Sequence, residues 1–179
     1  MEFFKRSWIC LWIIVISNYL NAQEWETPVI NGYGEVMFFE QTASQLNKEL
    51  DYKLIFDIKS NDTKNGVNKG LWVIARTLNL FRLSGIPNDK IQLVGSIHGD
   101  ATFVSLNDIA YNNKFGIKNP NSNIINQLKK NGVELYICSQ ATASREINNK
   151  DLNSNITPAL SSIAVLSNHL LQGFTLIPN

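Results

Sequence analysis

From Tyr52 onward, short apolar runs alternate with stretches in which apolar residues recur every three or four positions. Tyr52-Lys53-Leu54-Ile55-Phe56-Asp57-Ile58 has the length and apolar content of a strand, and the polar run Lys59 to Asn65 that follows reads as a loop. Val67, Leu71, Ile74, Leu78 and Phe81 then recur at helical spacing, and Gly85-Ile86-Pro87 stops that helix. Lys90 to Ile97 reads as a second strand. Strand, helix, strand at this length is the unit of a parallel sheet, because parallel neighbours need a long crossover.

The pattern repeats. Thr102 to about Asn112 carries Phe103, Leu106 and Ala110 on one helical face, and Asn121 to Lys130 carries Ile124, Ile125 and Leu128 before Gly132 ends it. The apolar run Val133 to Cys138 reads as a strand, followed by a short helical piece from Ala141 to Ile147 and a polar loop through Asn155. A helix from Ala159 to Leu171 and a last strand from Phe174 to Ile177 close the chain. The expectation is four strands alternating with helices, a further strand near Ile156, and helices on both faces of the sheet: an α/β three-layer sandwich with a mostly parallel central sheet.

Residues 23–51 are weakly patterned, with Pro28, Gly32 and Gly34 interrupting short apolar groups. They read as an N-terminal arm lying on the domain of residues 52–179, with at most one short strand. Before the arm, Lys5 and Arg6 precede an apolar run from Trp8 to Ile16 that turns polar from Ser17 to Ala22. That order predicts a secretory signal over residues 1–22, cleaved after Ala22, and a periplasmic or secreted protein. The run is far shorter than the roughly 20 residues a membrane-spanning helix needs, so no stable anchor is expected after cleavage.

Loss of residues 1–22 removes Glu2, Lys5 and Arg6 and leaves equal numbers of acidic and basic residues. Nucleic-acid binding, which needs clustered excess Lys and Arg, is not expected. Nor is a cofactor or metal: no Gly-rich phosphate loop follows the first strand, and the mature chain has one cysteine and two histidines at no zinc-like spacing. Gly95-Ser96 lacks the flanking pattern of a serine nucleophile elbow.

The candidate chemistry rests on Cys138 and His98. Cys10 falls inside the signal, so Cys138 is the lone thiol of the mature chain and has no internal disulfide partner. It is either an inert buried residue or a thiol kept for chemistry or for pairing with another chain. Its place at a strand end before a helix start, with Ser139, Thr142 and Ser144 as caps, is one that favours thiolate over thiol. His98 ends another strand, in His98-Gly99-Asp100-Ala101-Thr102, where the alternatives are a capped turn and a catalytic imidazole. Arg145 reads as a solvated helix charge, the alternative being a thiolate-stabilising one, and His169 as a packing or interface residue.

Ile97-His98-Gly99-Asp100-Ala101, Asn119-Pro120-Asn121 before a helix, Leu128 to Gln140 around Cys138, and the ending Leu171 to Pro178 together resemble the DsrE/DsrF-like family of small sulfur-relay proteins over residues 52–178. The resemblance implies a three-layer fold of flavodoxin- or Rossmann-like topology and assembly into a homo-oligomer, a trimer or hexamer. It also implies that in some members a cysteine carries sulfur as a persulfide, at the position of Cys138. Many relatives have Gly after that cysteine, where this chain has Ser139. Two functions follow as expectations. One is an exported sulfur carrier in which Cys138, with His98, accepts sulfur from a donor protein and passes it to an acceptor. The other is a non-catalytic oligomeric module that binds a small ligand or a protein at the strand ends. The apolar helix from Ala159 to Leu171 fits burial on more than one side, either by an oligomer contact or by the sheet and its neighbours alone.

Overall fold

A computed structural model describes residues 24–178. The export signal expected over residues 1–22, with Cys10, lies outside the described residues. The main sheet has five strands: β1 (Tyr52–Ile58), β4 (Ile91–Ile97), β5 (Glu134–Cys138), β6 (Thr157–Ala159) and β7 (Thr175–Ile177), the pair β2 (Thr63–Lys64) and β3 (Val67–Asn68) forming a separate hairpin. The spatial order is β6-β5-β4-β1-β7, and every pairing in the main sheet is parallel. The extra strand expected near Ile156 is β6.

The three interior strands, β1, β4 and β5, are covered on both faces. Leu54, Phe56 and Ile58 of β1, Leu93 and Ile97 of β4, and Leu135 and Ile137 of β5 pack with α1 (Lys69–Leu83) and α3 (Ser122–Lys130) in the larger core. Ile55 and Val94, on the alternate face, pack with Val165 of α5 (Ser162–Leu171). The apolar runs of the sequence follow from this: a strand covered on two sides loses its polar alternation. The connection from β6 to β7 crosses from one edge strand to the other, and α5 packs against β1, β4 and β5 on the way.

The structure corrects three local expectations. Val67 belongs to the β2–β3 hairpin, and the helix starts at Lys69 because Asn68 caps it, its side-chain oxygen accepting from the backbone N–H of Gly70 and Leu71. The single helix expected over Thr102 to Asn112 is two pieces: a 3₁₀ stretch, Gly99–Ser105, and α2 (Asp108–Phe115). The break has a cause. The side-chain N–H groups of Asn119 take the carbonyls of Val104 and Leu106 at 2.9 and 2.6 Å, and Asn107 caps the new helix at Ala110. Third, the helical piece expected from Ala141 is α4 (Ser139–Ala143), starting directly after Cys138. The hydroxyls of Thr142 and Ser144 bond back to the carbonyls of Ser139 and Ala141 and do not cap it.

The N-terminal arm is built into the domain. Glu26 and Val36 form an antiparallel bridge, and Ile30 is fully buried in the larger core. Asn79 of α1, itself fully buried, accepts from the N–H groups of Val29 and Ile30 and donates to the carbonyls of Tyr33 and Gly34. At Gly34, with φ +64°, a Cβ atom would lie 2.2 Å from the backbone nitrogen of Arg76, so only glycine lets the arm come this close to α1. Gln127 of α3 exchanges two further hydrogen bonds with the backbone of Asn31.

Candidate functional site

Because the strands are parallel, their carboxyl ends share one edge, the edge at which such sheets bind and react. Three segments meet there: Asp57 to Lys59 from β1, His98 to Asp100 after β4, and Cys138 at the end of β5. Ile97 is in register with Ile137, so His98 and Cys138 are the next residues of two adjacent strands. The His98 turn is pinned to β1: the His98 N–H donates to the Ile58 carbonyl at 3.0 Å and the Ala101 N–H to the Lys59 carbonyl at 3.1 Å. Gly99 sits at φ +57°, with the Lys59 carbonyl 3.0 Å from where a Cβ would stand.

The imidazole of His98 is hydrogen-bonded through Nε2 to Oδ1 of Asp57 at 2.7 Å, both side chains about seven-tenths buried. Asp57 lies on β1, on the opposite side of β4 from β5. Sequence reasoning missed Asp57. Its signal was an acid at the penultimate position of an otherwise apolar strand end, Leu54-Ile55-Phe56-Asp57-Ile58. A small hollow of about 70 Å³ adjoins it, lined by Asp57, Lys59, Asp62 and Lys69 among others.

Cys138 is a free thiol, the one cysteine among the described residues, and keeps 7% of its surface exposed. It is buried yet belongs to neither apolar cluster, which fits its place at the rim. It stands at the cap position of α4 with extended backbone, and its own side chain makes no capping bond there. Arg145 sits beyond the end of α4: its guanidinium is 3.8 Å from Asp100, donates to the Ala141 carbonyl and lies over the ring of Phe103. It ties the α4 end to the His98 loop. His169 packs against Tyr136 and Phe174 and its Nδ1–H donates to the Val165 carbonyl, a role inside α5 and its neighbours.

Behind the rim, a buried chain of asparagines fixes the loops. Asn121 accepts from the Asn68 backbone, Asn119 accepts from both the backbone and the side chain of Asn121, and Asn68 donates to the Ser60 carbonyl. All three are at least 96% buried, and their satisfied bonds make the rim a rigid frame. Among the described residues no group of three or more His, Cys, Asp or Glu side chains is placed to hold a metal ion, and no helix is long and apolar enough to cross a membrane.

Comparison with known proteins agrees with this architecture. A solved structure of a protein of unknown function, MTH1491 from Methanobacterium thermoautotrophicum, superposes with a TM-score of 0.50 at 17% identity, covering 72% of this chain and 100% of that one. That likeness is one of fold. No curated protein matches the chain. The profile of the DsrE/DsrF-like family matches residues 53–178, nearly the whole of the described sheet and its helices, and so the chain belongs to the DsrE/DsrF-like family.

Proposed function

We propose that this chain is an exported protein of sulfur-relay type, in which Cys138 accepts sulfur as a persulfide and passes it to a partner thiol. The observation that carries the reading is the position of the thiol: it ends an interior strand of a parallel sheet, next to β4, which His98 directly follows. In loading, the Cys138 thiolate attacks the outer sulfur of a donor persulfide. A new Sγ–S bond forms as the donor's S–S bond breaks, and the donor leaves as a thiolate. Attack by an acceptor thiolate on the outer sulfur returns Cys138 to a thiolate, so the cycle needs no oxidant or reductant. His98 serves the same rim as a proton carrier. With Nε2–H donated to Asp57, its Nδ1 is the basic atom left to exchange a proton with the incoming or leaving thiol. Residues 1–22 direct export, and assembly is a trimer or hexamer through the exposed side of α5.

A second reading is favoured by a specific observation, the burial of Cys138. In it the chain is a non-catalytic oligomeric module that binds a ligand or protein at the strand ends. One experiment separates the two. A small persulfide donor is supplied to the folded protein and the intact mass is followed. Gain of one sulfur atom by the wild type and none by Cys138→Ser is the expected result. A wild type that gains sulfur only after denaturation selects the binding module.

A further inference from the structure

Away from the strand ends, α1 and the N-terminal arm enclose a groove of about 310 Å³, lined by Trp25, Met37, Phe39, Leu46, Arg76 and Leu80, with further residues of the same segments. Its walls are mostly apolar, and its one formal charge is Arg76. The guanidinium lies over the rings of Trp25 and Trp72, 5.9 and 5.4 Å from their centroids, and among the described residues no carboxylate stands within ion-pair distance of it. Stacking occupies the faces of a guanidinium and leaves its edge N–H donors for a planar anion. The loop on the far side is preformed, since the Gln45 side chain donates to the carbonyls of Phe39 and Glu40 at 2.7 and 3.2 Å. A mostly apolar cleft of this size with a few polar groups, here one of them charged, is the usual form of a small-molecule site. We propose that the groove binds an amphipathic monocarboxylate, its head on the edge of Arg76 and its chain along Met37, Phe39, Leu46 and Leu80. This site is independent of the sulfur chemistry. The test is calorimetric titration of the full chain with octanoate below its micellar concentration, beside octan-1-ol. Octanoate is expected to saturate one site per chain and octanol to bind about tenfold or more weakly. Arg76→Gln, an exposed position, is expected to bring octanoate down to the level of octanol. Met37→Asp, with Arg76 intact and the circular dichroism unchanged, is expected to lose octanoate as well. No saturable heat from octanoate, equal binding of octanol, or an unaffected Arg76→Gln variant overturns the proposal.

Discussion

The imidazole of His98 is bound to Asp57 at 2.7 Å, on the strand that flanks β4 on the side away from Cys138. The two residues singled out in the sequence therefore share an edge of the sheet, while the hydrogen bond of one runs away from the other. A partly exposed pair of this kind contributes less than about 1 kcal/mol to stability. His98→Ala and Asp57→Asn are thus expected to melt close to the wild type. If His98 carries protons for the relay, both variants load sulfur on Cys138 more slowly, His98→Ala by about tenfold or more, measured as the rate at which the mass of one sulfur atom is gained. Loading at the wild-type rate in His98→Ala would remove the imidazole from the mechanism and leave Cys138 alone.

Asn79 satisfies four backbone groups of the arm from the middle of α1. Asn79→Leu leaves those groups buried without partners unless the arm detaches, and detachment exposes Ile30. A loss of about 3 kcal/mol or more is expected, read from the urea midpoint, with new protease cleavage in residues 24–50. Gly34→Ala is expected to give the same cleavage pattern, because its methyl group would meet the α1 backbone.

Tyr136 donates to Glu134 at 2.5 Å, and this bond to a carboxylate, followed by burial and by the negative charge itself, pushes the phenol from 10.0 up to about 12. The folded state thus favours the protonated phenol. Its contribution to stability is complete below about pH 10 and is lost as pH rises from there toward 12. Spectroscopic titration of the phenolates is expected to show Tyr136 ionising late in the wild type, and Glu134→Gln to move it toward the ordinary value.

Ile163 and Leu171 are 76% and 88% exposed, and their spacing puts them on one side of α5, opposite Val165, while Leu160, 74% exposed, stands just before the helix. This side is the proposed oligomer contact. Ile163→Asp combined with Leu171→Asp is expected to convert the assembly to monomers in sedimentation without changing the circular dichroism. A wild type that sediments as a monomer would reject the contact.

The middle of the sheet was legible because β1, β4 and β5 are largely apolar runs bounded by polar loops, and Cys138 could be placed at a strand end for that reason alone. What was not legible depends on asparagine side chains reaching across the fold. Helical spacing through Thr102 to Asn112 is present in the residues, but Asn119, far along the chain, takes the carbonyls that a helix would have used. Asn79 is a polar residue on the buried, otherwise largely apolar face of α1, and nothing local marks it as the anchor of a segment some 50 positions earlier. The same holds for Asp57, whose partner lies 41 residues away. In each case a short-range pattern was overruled by a long-range hydrogen bond.

The depth to which Ile30 is inserted has a practical corollary for anyone preparing this protein. A fragment trimmed to the family match at residue 53 would leave a hole in the hydrophobic interior and strip the partners from the Asn79 amide. Homology delimits what relatives have in common, whereas the packed interior draws on residues some two dozen positions earlier, and a recombinant fragment is best started ahead of Trp25.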